Sequence, residues 1–297
     1  MTTSEVSPTA VPPIVAPFFD SDSNTFSYVV QDPTTKSCAI IDAVLDFDYA
    51  SGGIGFECAD RIIEYIEKKH LTVQWLIETH VHADHLSAAP YIQSKLGGTL
   101  AIGKNIQVVQ ESFGKIFNEG SEFERNGSQF DHLFEDNEVY KVGNVTCKAI
   151  ATPGHTPACM THVIGDAAFV GDTLFMPDSG TARADFPGGD AATLYDSIQK
   201  IFSLPEQTRL FMCHDYCPNG RDLEYQTTVE EQRQKNIHIN NQMLKNAFVE
   251  LRTARDKTLS MPRLILPSLQ INMRAGNFPK PENNDTVYLK IPIDAFK

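Results

Sequence analysis

Short apolar runs alternate with amphipathic stretches through the first two thirds of the chain. Residues 26–30 and 38–42 are apolar runs separated by the turn-forming triplet Asp32-Pro33-Thr34, so they are predicted as joined strands. Across Glu57–Lys69 the apolar residues Ala59, Ile62, Ile63 and Ile66 recur at helical spacing, while Glu64, Glu67 and Lys68 point away. That pattern predicts a helix with one face in the core. Residues 73–77 read as a buried strand, 87–96 as a helix stopped by Gly97-Gly98, and 100–102 as a strand again. Three further apolar runs, 145–150, 167–170 and 210–213, have strand character. Asp190 stands where a helix N-cap belongs, ahead of Leu194, Ile198 and Ile201 on one face. Residues 119–136 are polar and contain glycine, and are expected to loop near the mouth of an active site. Periodicity alone therefore predicts an α/β protein of layered helices and sheets, and goes no further.

The candidate chemistry lies where these apolar runs end. Directly after residues 73–77 comes Thr79-His80-Val81-His82-Ala83-Asp84-His85, three histidines and an aspartate in one short loop. Buried together, such groups would repel and desolvate one another, and a metal ion removes that cost by giving each nitrogen and carboxylate oxygen a cationic partner. Further ligands stand at the ends of later runs: His155 in Thr152-Pro153-Gly154-His155-Thr156-Pro157, Asp172 in Gly171-Asp172-Thr173, and His214 in His214-Asp215-Tyr216. A site assembled from strand ends would lie along one edge of a sheet. His70, His132, His162 and His238 fall outside this pattern and read as ordinary surface or core histidines.

Taken together, the four motifs resemble those of the metallo-β-lactamase superfamily. The resemblance implies an αββα sandwich with the metal centre between the sheet edges. It also implies one metal site from His80, His82 and His155 and a second from Asp84, His85 and His214, with Asp172 between them. A narrower likeness rests on the block Ser179-Gly180-Thr181-Ala182-Arg183-Ala184-Asp185-Phe186-Pro187-Gly188-Gly189-Asp190 and on His214-Asp215-Tyr216. Supporting stretches are Phe18-Phe19-Asp20, Ser27-Tyr28-Val29-Val30, Leu86-Ser87-Ala88-Ala89-Pro90-Tyr91 and Pro262-Arg263-Leu264-Ile265-Leu266-Pro267. These resemble the persulfide dioxygenases (sulfur dioxygenases), in particular the bacterial β-lactamase-like group.

That narrower likeness implies one iron(II) per chain, held by His80, His155 and Asp172, and oxidation of glutathione persulfide by O2 and water to glutathione and sulfite. His82, Asp84, His85 and His214 would then orient ligands and solvent, or form a vestigial second metal site. Tyr216 is a candidate hydrogen-bond donor at the iron, or else a packing aromatic. Arg183 is a candidate for a substrate carboxylate, though pairing with Asp185 or Asp178 to lock its loop is favoured; Arg221 is a weaker candidate. A homodimer is compatible with the resemblance. The alternative enzyme is a glyoxalase II-like hydrolase of a glutathione thioester using two metals. Against it stand the 179–190 block, the His-Asp-Tyr motif and a C-terminal region unlike that family's glutathione-binding helices. A metal-binding or sulfur-responsive protein without turnover is the non-enzymatic alternative.

Composition narrows the field. With 297 residues, 41% hydrophobic and 21% charged, the chain has ample core. Because the candidate ligands run from His80 to His214, the expectation is one domain over 1–297, with 229–297 a helical appendage packed on it. A net charge of -13 argues against nucleic acid and anionic membranes as partners, since both require a basic face. No run is long enough to span a membrane, and residues 1–13 lack the basic start and apolar core of a signal peptide. A disordered polar leader and a cytoplasmic location are expected. The six cysteines contain no C-x-x-C pair and read as reduced thiols, with Cys159 and Cys213 near the metal.

Overall fold

In the computed structural model of the chain, which describes residues 11–295, strand pairing follows the apolar runs. β1 (Ile14–Asp20), β2 (Thr25–Gln31) and β3 (Ser37–Ile41) form an antiparallel meander. β4 (Val44–Asp48) and β5 (Gly53–Gly55) make a side hairpin, after which α1 (Glu57–Lys69) leads to β6 (Thr72–Ile77), parallel to β3. β7 (Leu86–Ser87) pairs with β4. α2 (Ala89–Leu96) then leads to β8 (Thr99–Gly103), and α3 (Ile106–Ile116) to β9 (His132–Phe134), each new strand parallel to the last. The first sheet thus has the order β1-β2-β3-β6-β8-β9.

The second half of the chain builds a matching sheet. β10 (Val139–Val142), β11 (Val145–Ala151), β12 (Met160–Ile164) and β13 (Ala167–Phe169) meander antiparallel. α4 (Ala191–Phe202) carries the chain to β14 (Arg209–Phe211), parallel to β13, and β15 (Gln226–Thr228) completes the order β10-β11-β12-β13-β14-β15. α5 (Val229–Lys235), α6 (Lys245–Asp256) and α7 (Ile265–Asn272) follow.

Side-chain alternation sorts the core into three apolar layers. Phe26, Tyr28 and Val30 of β2 pack between the sheets with Phe169 and Phe211, whereas Val29 faces the opposite way. On that outer face lie Ile62 and Ile66 of α1, Ile92 of α2, Val109 of α3 and Leu269 of α7. Beyond the second sheet, Ala168 and Leu210 meet Leu194 and Ile198 of α4 and Phe248 of α6. The result is the αββα sandwich of the metallo-β-lactamase type. Central strands buried on both faces explain why so many read as continuous apolar runs.

Several local expectations recur in the structure. Ala59, Ile62, Ile63 and Ile66 are the buried residues of α1, and the Asp190 side chain caps α4 by accepting from the Thr193 N–H at 2.7 Å. β1 was not read from the sequence; it carries Pro17 and lies at a sheet edge, where a missing N–H is tolerated. Residues 119–136 do not sit at the site mouth. Phe123 and Phe130 bury themselves in the layer under α3, the Gly127 N–H donates to Gln110 Oε1 (2.9 Å), and the segment ends in β9. Of the expected leader, residues 1–10 lie outside the described residues, and Pro13 is already packed, its carbonyl accepting from Arg209 (3.2 Å). No helix among the described residues is long and apolar enough to cross a membrane.

The Asp32 carboxylate pins the two sheets together at the end opposite the ligand loop. It accepts from the Thr34 N–H (2.8 Å), the Thr34 and Thr35 hydroxyls (2.8 Å each) and the Asn144 N–H in the β10–β11 turn (2.7 Å). Burial would raise its carboxyl, but these donors outweigh burial and hold it at about 2. A folded value below the unfolded one gives stability that is complete above about pH 4 and lost as the pH falls through about 2. Asp32→Asn is expected to lower unfolding stability at pH 7 by about 1–3 kcal/mol. Urea denaturation at pH 7 and pH 3 should show the deficit shrinking in acid; equal deficits at both values would count against the assignment.

Candidate metal centre

The ligand loop is held from beneath before any metal is considered. β3 ends in Asp42, in the left-handed region at φ 51°, which turns its buried carboxylate under the loop. The Thr79 N–H donates to Asp42 Oδ1 (2.7 Å) and its hydroxyl to Oδ2 (2.8 Å). Thr79 in turn accepts from the Met160 N–H through its carbonyl (2.9 Å), tying the loop to β12 of the opposite sheet. Gly171 comes so close to Thr79 that a Cβ there, at φ 51°, would stand 2.7 Å from the hydroxyl. Gly154, at φ 142°, approaches α4 so closely that a Cβ would lie 2.4 Å from Leu194 Cα. Glycine at these two positions lets the Asp172 and His155 loops close on the same spot.

His80, His155 and Asp172 each present one donor atom within 4.8 Å of the others, and His82, Asp84 and His85 form a second such group. Asp172 joins the two: its Oδ2 lies 3.6 Å from His155 Nε2 and 3.9 Å from His80 Nε2, while Oδ1 lies 3.2 Å from His214 Nε2. His214 Nε2 is also 3.5 Å from Asp84 Oδ2. The ring nitrogens that point outward are already engaged. His155 Nδ1 donates to the Arg183 carbonyl (2.8 Å), His85 Nδ1 to the Leu86 carbonyl (3.0 Å) and His214 Nδ1 to the Asn24 carbonyl (3.1 Å). For His155 and His85 the bond fixes the tautomer that leaves an Nε2 lone pair facing inward. Burial works against charge on His214, but Asp172 and Asp84 outweigh it and raise the imidazole to about 10, so that its Nε2 can donate to Asp172.

Buried polar atoms without partners test whether a metal suits this donor set. His80 Nε2, His85 Nε2, His82 Nδ1 and Asp172 Oδ1 lack hydrogen bonds although they are enclosed. Native interiors rarely leave such atoms unsatisfied, and here they converge on one place. Imidazole nitrogens and carboxylate oxygens suit a divalent transition metal, so the residues fit one. Burial, with His82 alongside, lowers His80 well below the ordinary histidine value and His85 to about 4, keeping both neutral and ligand-ready. Burial alone would raise the Asp172 carboxyl, but facing His214, His80 and His155 hold it well below the usual range.

His82 is set apart from its neighbours. Its Nε2 lies 2.9 Å from Asp42 Oδ1 and 3.6 Å from Glu78 Oε2, both carboxylates being buried. Burial works against charge on His82, yet Asp42 and then Glu78 outweigh it and raise the imidazole above its ordinary value. Glu78, raised by burial, accepts from the Ser87 hydroxyl at 2.5 Å. Neither acid was singled out from the sequence. Asp42 did carry a signal, since it ends an apolar run as the chosen ligands do.

The remaining candidates take less expected places. Tyr216 is half exposed, stacks on His214 (5.8 Å between ring centroids) and meets Phe175 edge-on at 5.7 Å. Partial burial of the phenol, with Asp172 and Asp84 facing it, raises its pKa, so it stays protonated as a hydrogen-bond donor. Arg183 points both Nε and an NH group at Asp185 (2.6 and 2.9 Å) and donates to the Ser260 carbonyl (2.8 Å), the loop-locking arrangement favoured from sequence. Arg221 is held by Asp178 and by the fully buried Asp215, with four contacts between 2.6 and 2.9 Å. Neither guanidinium has free donors to turn toward a ligand without breaking these pairs. All six cysteines are unpaired; Cys213 joins Asp172 and His214 as a donor group, and burial pushes the Cys159 thiol to about 12.

The C-terminal helices also reach the site. Asn272, at the end of α7, accepts from the Ser87 N–H (2.8 Å) and donates to the His82 and His85 carbonyls (2.9 and 2.8 Å), clamping the ligand loop from 187 to 190 residues away. From α6, Arg252 donates to the Thr181 carbonyl (2.9 Å) and Asp256 accepts from the Ala184 N–H (2.9 Å). His238 accepts from the Thr181 N–H (3.0 Å), and a Cβ on Gly180 would strike its ring at 2.1 Å. The Gly180-to-Asp185 block is thus shaped so that the Arg183 backbone, rather than its charge, orients His155. The donors open onto a cavity of about 550 Å³, floored by Asp84, His155, Asp172 and His214 and walled in part by Phe175, Phe186 and Ile237.

The sequence profile of the Metallo-beta-lactamase superfamily matches residues 21–214, a span holding all the candidate ligands. A "probable metallo-hydrolase" of Burkholderia pseudomallei is 53% identical over 94% of this chain and 98% of its own length. A "Glyoxylase B2" of Dictyostelium discoideum is 45% identical over 94% of this chain and 97% of its own. The mitochondrial persulfide dioxygenase ETHE1 of Homo sapiens is 30% identical over 89% of each chain. Among solved structures, ETHE1 from Myxococcus xanthus superposes with a TM-score of 0.71 at 27% identity, covering 89% of this chain and 100% of the other.

Asn272→Ala removes three hydrogen bonds that shape the ligand loop and leaves every donor in place. It is expected to weaken metal affinity about 10- to 100-fold while the protein stays folded. Competition with a metallochromic chelator measures the first and circular dichroism the second; wild-type affinity in a folded variant would refute the clamp.

Proposed function

The chain belongs to the metallo-beta-lactamase superfamily, and from that premise we propose that it is an iron(II)-dependent dioxygenase acting on glutathione persulfide. Glutathione persulfide, O2 and water would give glutathione and sulfite, the outer sulfur being oxidised and the inner one leaving as a thiol. The similarity to persulfide dioxygenases over nine tenths of the chain supports the reading. The observation that carries it at the site is the grouping of His80, His155 and Asp172, two imidazoles and a carboxylate whose donor atoms lie within 4.8 Å of one another. Iron(II) held there would supply open coordination positions for sulfur and oxygen together with the one-electron chemistry their reaction needs.

The chain's own groups divide the remaining work. Asp172 holds one carboxylate oxygen toward His80 and His155 and the other toward His214, so His214 fixes its orientation. Asp84 lines the cavity as an acceptor with the neutral His85 buried beside it, and the Tyr216 phenol, protonated across the working pH range, offers a hydrogen bond to the outer sulfur's oxygens. Phe175 and Phe186 limit water at the cavity wall, which strengthens those polar contacts.

One observation favours a second reading. His82, Asp84 and His85 also form a donor group, and relatives more alike in sequence carry the names metallo-hydrolase and glyoxylase. A two-metal centre hydrolysing a glutathione thioester uses that group.

Oxygen uptake by anaerobically iron-loaded protein on adding glutathione persulfide, with sulfite quantified in the same sample, decides between them. Equimolar uptake and sulfite are expected; verified iron with no uptake, together with thioester hydrolysis at two metals per chain, would install the second reading. His80→Ala and Asp172→Ala are each expected to lose iron in elemental analysis. His214→Ala should keep iron and turn over more slowly, and a metal-free His214→Ala would point to a binuclear centre.

A further inference from the structure

The chain has ten arginines, and eight of them direct the guanidinium to a hydrogen bond or ion pair within the protein. The other two, Arg255 and Arg263, make no side-chain hydrogen bond or close ion pair among the described residues, Arg263 having only the more distant charge of Asp48 near it, and both line the cavity above the ligand cluster. Coincidence is a poor account of this. In a chain with net charge -13, carboxylates are plentiful and an exposed arginine readily finds one. The cavity's two other guanidiniums show the contrast, for Arg183 is tied to Asp185 and Arg252 to Asp256. Of the four acids in the same wall, Asp178 is consumed by Arg221, Asp84 and Asp172 face His214, and Asp22 makes no close ion pair with either arginine.

Arg255 lies in the last turn of α6 and Arg263 just after Pro262 on the segment that leads to α7. Both are exposed, at the mouth of the cavity rather than at its floor. Leu259 and Pro262 lie between them in sequence and add apolar wall. A ligand entering with its sulfur toward His155 and Asp172 would therefore trail its distal groups past two unpaired, always-charged forks suited to carboxylates.

We propose that Arg255 and Arg263 form the carboxylate-recognition site of this cavity and select thiol carriers bearing two carboxylates, as glutathione does, over neutral carriers. This rests on the reading that the cavity takes a thiol-borne substrate. In a chain of net charge -13 such a local cationic pair offsets the repulsion that the global field exerts on an anionic carrier. Arg183 and Arg221 are left as structural locks.

The test compares wild type, Arg255→Ala, Arg263→Ala, the double variant and Arg263→Lys, each iron-loaded. The substrates are glutathione persulfide and the uncharged persulfide of 2-mercaptoethanol. Each alanine variant is expected to raise KM for glutathione persulfide about 3- to 10-fold with kcat little changed, and to raise KM for the neutral persulfide far less. Arg263→Lys should recover part of the loss, and added salt should erode the wild-type preference. Equal changes for both substrates, or a fall in kcat with KM constant, overturn the proposal. Calorimetry of glutathione binding to the zinc-loaded proteins separates this from the dioxygenase reading. Weaker binding by the double variant upholds the carboxylate site even if wild type shows no oxygen uptake. Unchanged binding, beside an active wild type, removes the site and leaves the dioxygenase.

Discussion

Everything at this site rests on a buried carboxylate that touches no substrate. Asp42 sits under the ligand loop with both oxygens engaged, by Thr79 through its N–H and hydroxyl and by His82 through Nε2. An ionised acid enclosed in a protein is unfavourable unless its partners are fixed, so the loop cannot drift without exposing that charge to an unpaired state. Thr79 passes the constraint to β12 through its carbonyl and to Gly171 through its hydroxyl, where any side chain would collide. The three loops bearing His80, His155 and Asp172 therefore inherit their spacing from one anchor. Metal-facing atoms left without partners are tolerable only because this scaffold resists the collapse that would satisfy them.

The helices beyond residue 229 are part of the same scaffold. α6 holds the 180–185 backbone through Arg252 and Asp256, and that backbone aligns His155. α7 brings Asn272 to the carbonyls of His82 and His85. The two contributions enter from opposite sides of the sandwich, since α6 packs in the layer outside the second sheet and α7 in the layer outside the first. The centre is clamped between outer layers as well as between sheet ends.

How much of this could be read from the chain depended on whether a residue's role was local. His80, His155, Asp172 and His214 each end an apolar run, so burial pattern and chemistry coincide within a few positions. Asp42 ends a run as well, but a single aspartate there resembles any strand terminator, and its meaning appears only when Thr79 arrives from 37 residues on. Asn272 has no local signal at all, because an amide at a helix end looks the same whether it meets solvent or a distant loop. Residues 119–136 misled in the other direction: polar composition masked Phe123 and Phe130, two anchors strong enough to fold the segment away from the site. β1 was obscured by Pro17, which an edge position permits. For Arg183, proximity to Asp185 two residues along was the better guide, while the place of Arg255 and Arg263 at the cavity mouth appears only in the fold.

Asn272 has a consequence for how the protein is made. Every metal-facing donor has been synthesised by residue 214, yet the carbonyls that shape their loop are not bound until residue 272 has been added and α7 has folded back. A nascent chain thus carries a full set of donors in a loop that is not yet held, and a tightly ordered centre arises only after translation is almost complete. The clamped form of the ligand loop belongs to the finished polypeptide, and a chain interrupted before α7 carries its donors in a loop that Asn272 does not hold.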